Sequence, residues 1–168
     1  LRNGVPIKNS KAPKLEELSL QKYAMLPPVA DLHAFAPNLR SLFINIDVDN
    51  LYDDIDISCF RRLEEIVIAN GLHGDLKLPS SCKIFSANLV GDKHRLKVPA
   101  ATRTLNLPPY FHGEVVSLPP SLEMADFGGA QQIPPCDVDL LTVDGQPNLT
   151  NVGANVCVVR HDNVDLSG

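Results

Sequence analysis

The chain has 168 residues, of which 44% are hydrophobic, 5% aromatic and 21% charged. This is the composition of a globular domain with an aliphatic core. The formal net charge of −5 argues against a nucleic-acid groove, which needs an excess of Lys and Arg, and the lack of an apolar run of about 18 residues argues against a membrane-spanning helix.

One hexapeptide pattern, apolar-x-x-apolar-x-apolar, begins near the N-terminus and recurs. It is found in LEELSL from Leu15, LRSLFI from Leu39 and LEEIVI from Leu63. Before the second and third copies, DLHAF at 31–35 is echoed by DISCF at 56–60. Connections of this length have room for a helical turn or a 3-10 turn, so we expect one in each of these first units.

From residue 76 onward, a proline precedes each copy of the pattern. The three rows are PSSCKIFSA from Pro79, PAATRTLNL from Pro99 and PPSLEMADF from Pro119. Proline fixes φ at roughly −65° and has no backbone N–H to donate, so we expect extended rather than helical return segments here. Two weaker copies begin at Leu140 and Val158.

The copies start 18 to 24 residues apart. A short strand with this pattern places alternate side chains on one face and cannot bury that face alone. Similar units stacked side by side form a parallel sheet over a continuous core. We therefore predict adjacent parallel strands, in chain order, at Leu39–Ile44, Leu63–Ile68, Cys82–Ala87, Thr102–Leu107 and Leu122–Phe127.

This pattern and period resemble the leucine-rich repeat from about residue 13 to the end of the chain. The Pro-containing half is similar to the repeats of bacterial effector proteins and to those of fungal F-box-type proteins. The resemblance implies an α/β to mostly β solenoid with a parallel sheet on its concave face. It further implies one domain over residues 1–168, as a fragment of a larger chain. The family's usual Asn after each strand occurs here once, as Asn148, so we expect irregular turns.

The resemblance also implies a function: recognition of another protein through the concave face, without catalysis. One alternative is the recognition domain of a ubiquitin ligase, of the F-box or bacterial-effector type, whose other domain is missing. A second alternative is a surface adhesin. We expect an intracellular setting, cytoplasmic or nuclear. We expect no nucleic acid, membrane, metal or small-molecule cofactor among the partners.

The candidate binding surface consists of the exposed positions of the strands. The first x of each copy would form a row across the sheet, in which charges alternate except where Lys83 meets Arg103. A merely stabilising ion-pair ladder explains the first part of the row, whereas the two cations near exposed apolar residues favour a docking surface. The predicted binding residues are Arg40, Phe43, Glu64, Val67, Lys83, Ser86, Arg103, Asn106, Glu123 and Asp126.

The alternative binding segment is the acidic run IDVDNLYDDID at 46–56. Such a run is usually a solvated loop, and it binds a basic partner or a cation only where its carboxylates converge.

The four cysteines stand apart in the sequence, without a C-x-x-C pair. They are Cys59, Cys82, Cys136 and Cys157. We interpret them as small buried apolar residues: Cys82 takes the place of Leu39, and Cys136 the place of Leu76. This interpretation predicts no disulfide and favours a reducing compartment.

Overall fold

The computed structural model describes residues 11–21, 26–45, 50–51, 54–89, 94–109, 111, 113–128, 130, 133–144 and 152–160. Strands dominate these ranges, and the one helix among them is short. In chain order the elements are β1 (Glu17–Gln21), α1 (Val29–Phe35), β2 (Ser41–Asn45), β3 (Asn50–Leu51), β4 (Ile55–Asp56), β5 (Glu65–Leu72), β6 (Leu76–Lys77), β7 (Ile84–Leu89), β8 (Arg95–Lys97), β9 (Thr104–Asn106), β10 (Glu114–Ser117), β11 (Met124–Asp126), β12 (Cys136–Asp144) and β13 (Val152–Arg160).

The main sheet is parallel and follows the order β1-β2-β5-β7-β9-β11-β12-β13, with β3 added beside the end of β5. The chain returns from one main-sheet strand to the next through α1 or through the short strands on the opposite side. There β4 pairs with β6, and β8 pairs with β10. The chain is therefore a mostly-β solenoid, and the prediction of adjacent parallel strands in chain order is confirmed.

The strands begin two residues later than the predicted segments because a tight turn uses the first position of the pattern. In each of six units, the backbone N–H of that residue donates to the carbonyl three residues earlier, as in a β-turn. The six donor–acceptor pairs are Leu15–Ala12, Leu39–Ala36, Leu63–Phe60, Cys82–Pro79, Thr102–Pro99 and Leu122–Pro119, at 3.0 to 3.4 Å.

Among the described residues, the expected helical turn forms in the first connection only. Residues 31–35 lie within α1, whereas 56–60 holds the end of β4 and a turn. The sequence echo aligns Phe35 with Phe60, but in the fold Ala36 is equivalent to Phe60. The carbonyls of Ala36 and Phe60 both accept the bond that closes the turn before the next strand. After residue 76, the return segments are extended, as the prolines predict.

The last two copies were predicted in the wrong register. Leu140 lies opposite Met124, and Leu122 is therefore equivalent to Val138, not Leu140. Val158 lies opposite Thr142, so it too does not hold the first position of its unit. The unit that begins at Leu122 has fewer residues than the preceding units, so the period of those units places the next copy too late in the chain. Cys136 consequently begins main-sheet strand β12 rather than taking the place of Leu76.

The core lies between the main sheet and the return side. One buried side chain from each strand forms a row across the sheet, through Leu18, Leu42, Ile66, Phe85, Leu105, Ala125 and Leu141. Three further phenylalanines fill the space behind this row: Phe60, Phe111 and Phe127, all fully buried. These rings supply the volume that a core without Trp needs.

Hydroxyl side chains join consecutive turns at their corners. Ser81 Oγ donates to the carbonyl of Leu63 at 2.7 Å, and Thr102 Oγ1 donates to the carbonyl of Cys82 at 3.0 Å. Ser121 Oγ continues the series to the carbonyl of Thr102 at 2.8 Å. Thr102, which interrupts the apolar pattern, and the two serines that precede the pattern thus satisfy backbone carbonyls of the preceding turn.

Candidate binding face

The side of the main sheet that faces away from the core carries the candidate site. It begins with the charged row, which we define as Glu16, Arg40, Glu64, Lys83, Arg103 and Glu123. The backbone sets their spacing, since each member donates its N–H to the carbonyl of the preceding one at 2.7 to 2.9 Å. Asp139 extends the row by the same bond to Glu123, at 2.8 Å, and the sequence register had missed it.

Ion pairs connect neighbours along the charged row. Arg40 lies 3.9 Å from Glu16 and 3.5 Å from Glu64, and Lys83 Nζ lies 2.9 Å from Glu64. Arg103 pairs with Glu123 at 3.3 Å. The hydrogen bond from Lys83 is the main cause that holds the pKa of Glu64 below its ordinary value. The predicted ladder therefore exists as an exposed network.

The centre of the charged row has a different character. Lys83 and Arg103 are adjacent, joined by the 2.8 Å bond from the backbone N–H of Arg103 to the carbonyl of Lys83. Lys83 pairs backward with Glu64, and Arg103 pairs forward with Glu123. Two cationic residues are therefore neighbours in the backbone at the middle of the face while their side chains pair in opposite directions, and this is the point of the charged row that best suits an incoming anion.

The second face row consists of Phe43, Val67, Ser86, Asn106 and Asp126, with Ser19 and Thr142 at its ends. These residues lie opposite one another in register across the sheet. Asn106 is exposed, and the other four central members are half-buried. All ten predicted binding residues thus lie on one side of the molecule, in the charged row and the second face row.

A row between these two was missed by the sequence reasoning. The first face row consists of Glu17, Ser41, Glu65, Ile84, Thr104, Met124 and Leu140, in register. Alternation along each strand would have found it, since every member lies two residues before a member of the second face row. The row is acidic at its start, and it carries the exposed apolar side chains Ile84 (41% exposed) and Met124 (45%).

A shallow groove of about 200 Å³ crosses the later part of this face. Its sides are formed by Thr104, Asn106, Met124, Asp126, Leu140 and Thr142. Ala125 also lines the groove, at a position where the core row otherwise has Leu, Ile or Phe. The Asp126 carboxylate accepts the backbone N–H of Gly128 at 3.0 Å and is held in place by it.

Carboxylates of the acidic segment that fall within the described residues have structural roles. Asp54 accepts the backbone N–H of Asp75 at 2.8 Å. Asp56 accepts the N–H and the hydroxyl of Ser58 and lies 3.5 Å from Lys77. The hydrogen bonds from Ser58 are the main cause that lowers the pKa of Asp56. Residues 46–49 and 52–53, the rest of this alternative site, lie outside the described residues.

The cysteines and histidines take separate places. Cys82 is buried, Cys136 is half-buried and both are free thiols, whereas the free thiol of Cys59 is exposed, contrary to the prediction. Cys59 lies in the turn before Leu63, and Phe60 fills the core instead. The side chain of Cys157 lies outside the described residues. His33 packs edge-on against Phe60, with ring centroids 5.1 Å apart. Over the described ranges, His, Cys, Asp and Glu side chains form no group suited to a metal ion.

No protein-family model, no curated protein sequence and no solved structure matches the chain. In the part of the chain that the structure describes, no helix has the length and apolar character needed to span a membrane. The candidate site is therefore defined by its own rows: a charged row with two cations at its centre, flanked by an apolar stretch of open sheet.

Proposed function

We propose that this protein is a recognition module that binds another protein through the open face of its main sheet, without catalysis. The finer classification as an irregular leucine-rich-repeat solenoid belongs to the same proposal and is supported by the repeat pattern. The observation that carries the functional proposal is the adjacency of Lys83 and Arg103 next to the exposed side chain of Ile84. Cationic and apolar groups together suit a partner that presents a carboxylate beside an apolar side chain.

The energetics favour the centre of the face as the anchor. Ile84 and Met124 are exposed on neighbouring parts of the first face row, so a partner that covers them gains about 25 cal/mol for each Å² of apolar surface removed from water. A carboxylate placed between Lys83 and Arg103 would be attracted by both cations. Central, water-excluded positions usually dominate protein interfaces, and Arg is enriched among them.

A pair of charge-reversed variants tests the proposal. Lys83→Glu with Arg103→Glu reverses the centre of the face without altering a core position. The matched control, Arg61→Glu with Arg62→Glu, makes the same change in net charge at two exposed turn residues. Immobilised wild type, control and face variant are each used to capture proteins from cell extract, and a captured protein is then purified for titration.

The expected result is a partner that binds the wild type and the control with equal affinity and binds the face variant at least about tenfold more weakly. A second variant, Ile84→Ser with Met124→Ser, tests the apolar component and should weaken binding without lowering stability, because both side chains are exposed. Equal binding by wild type and face variant, with circular dichroism showing both folded, would contradict the proposal.

A further inference from the structure

The return side of the solenoid is interrupted, although the main sheet in front of it is continuous. Strands β4 and β6 form one pair and β8 and β10 form another, but β6 and β8 are not paired, even though they belong to consecutive units. A cleft of about 510 Å³ lies at this break, and Leu76, Leu78, Leu89 and Leu96 contribute its apolar lining. We call it the return cleft.

Both strand edges at the return cleft present backbone hydrogen-bonding groups. Ile55 and Ile57 donate to the carbonyls of Asp75 and Lys77, so these two residues of the β6 segment face β4. Because successive residues of a strand face opposite neighbours, the N–H and C=O groups of Leu76 face the cleft.

The same alternation applies across the cleft, at β8. The carbonyl of His94 accepts from Glu114, and the N–H of Val98 donates to Ser117, so both face β10. The backbone groups of Arg95 and Lys97 therefore face the cleft. Within the described residues, no hydrogen bond joins these groups to those of Leu76.

Side-chain charge disfavours pairing of the two edges. The phrases Leu76-Lys77-Leu78-Pro79 and Leu96-Lys97-Val98-Pro99 are equivalent, and both prolines accept the bond that closes the next turn. Pairing β6 with β8 in this register would place Lys77 directly opposite Lys97. Like charges in opposed positions destabilise a sheet. Within each existing pair the charges are complementary instead, with Lys77 near Asp56 at 3.5 Å and Arg95 near Glu114 at 2.9 Å.

We propose that the return cleft binds an extended acidic peptide segment, which adds as a strand between β6 and β8. Its backbone would pair with the edges of Leu76, Arg95 and Lys97 that face the cleft, in the manner of strand addition. Its apolar side chains would cover the leucine lining, and its carboxylates would point outward. Three exposed cations, Lys77, Arg95 and Lys97, surround the cleft against one lining acid, Asp75. Lys77 and Arg95 already pair with Asp56 and Glu114, so an acidic side chain between Lys77 and Lys97 would chiefly add a counter-charge for Lys97.

The test uses a fluorescein-labelled peptide amide of sequence Ser-Glu-Val-Glu-Val-Glu-Ser, which alternates acidic and apolar side chains. Two control peptides accompany it: one with Lys in place of each Glu, and one with N-methylated valines, which cannot donate from those positions. Binding to the wild-type protein is followed by fluorescence anisotropy, and the site is located from the backbone amide NMR shifts of Arg95 and Lys97. The key variant is Lys97→Glu, which places a carboxylate opposite Lys77 and allows β6 to pair with β8.

We expect the acidic peptide to bind the wild-type protein saturably. Both control peptides should bind the wild type about tenfold or more weakly, and so should the acidic peptide bind the Lys97→Glu variant. The face variant with Lys83→Glu and Arg103→Glu should bind the peptide as well as the wild type, which separates this site from the proposed function. Should Lys97→Glu fail to fold, the wild-type NMR shifts decide the question alone. Absence of saturable binding, equal binding of the Lys peptide, or shifts confined to the open face or elsewhere would each overturn the proposal.

Discussion

The side-chain hydroxyl of Thr102 donates a hydrogen bond of 3.0 Å to the backbone carbonyl of Cys82, one turn of the solenoid earlier. Both residues are fully buried, and both occupy the first position of the repeated pattern. A polar side chain at a core position is therefore explained by the carbonyl that it satisfies in the neighbouring turn.

Replacing Thr102 with valine keeps the shape of the side chain and removes the donor. We expect the free energy of unfolding to fall by about 1–3 kcal/mol, since the carbonyl of Cys82 would stay buried without that partner. Urea denaturation measures the change. The matched control is Thr104→Val on the open face, where we expect a change within about 0.5 kcal/mol. An equal effect of the two substitutions would contradict the role assigned to this bond.

Gly128 follows β11 with a backbone φ of 52°, a conformation that side chains disfavour. A Cβ at this position would also lie 1.8 Å from the carbonyl oxygen of Pro108. We expect Gly128→Ala to lower the free energy of unfolding by about 3 kcal/mol or more. Gly128→Asn separates the two causes, because Asn tolerates positive φ but still carries a Cβ. In thermal unfolding, Gly128→Asn should lower stability about as much as Gly128→Ala, because both add a Cβ. If Gly128→Asn kept the stability of the wild type, the positive φ and not the Cβ contact would be the cause of the loss in Gly128→Ala.

Burial raises the pKa of the Cys82 thiol to about 12, from an ordinary value of 9.0. Between these two values the unfolded chain loses the proton and the folded chain keeps it. Stability should therefore fall as pH rises from about 9 to about 12, with this thiol contributing up to about 1.4 kcal/mol per pH unit. The free energy of unfolding of Cys82→Ala should fall less steeply over the same range. Parallel pH profiles for wild type and Cys82→Ala would refute this assignment.

Thiol accessibility differs between Cys59 and Cys82. Cys59 is exposed and Cys82 is fully buried, so a thiol-reactive dye should label the first in the native protein and the second only after unfolding. Partial desolvation and the charge of Asp56 nevertheless raise the pKa of the Cys59 thiol, so its labelling should be slower than that of a free thiol at the same pH. Peptide mapping identifies the labelled sites. Protection of Cys59 together with a non-reducing mass that shows loss of hydrogen would indicate a disulfide and contradict the prediction of free thiols.

The repeat pattern predicted the part of the fold that depends on periodicity. Alternating apolar residues such as Leu42 and Ile44 specify a half-buried strand, and their regular return specifies parallel stacking. Prolines 79, 99 and 119 correctly predicted extended return segments. The charged row followed from the same alignment, because residues in one column of a stacked repeat must become neighbours in space.

Features that depend on local geometry were not predictable in the same way. The first position of each unit proved to close a turn, so the strands start at residues such as Ser41 rather than Leu39. The repeated leucines aligned Leu140 with Leu122. In the fold, Val138 holds that position and Leu140 faces the open side, two residues later. An amide does bridge two strands, but two residues before Val90, where the family's Asn is expected in this unit: Asn88 donates to the carbonyl of Ala69 at 3.3 Å. The break between β6 and β8, where pairing would oppose Lys77 and Lys97, is a relationship between two units that no single repeat reveals.

That break beside an unbroken main sheet has a mechanical consequence. On either side of β7, the units are fastened twice, once through the main sheet and once through paired return strands. At β7 the described parts are joined through the main sheet, the core and side-chain bonds such as that of Ser81 to Leu63, but not through paired return strands. We therefore expect the solenoid to bend more easily at this joint than within the paired return strands. A segment wedged into the return side would set the angle of that joint and thereby the curvature of the face opposite.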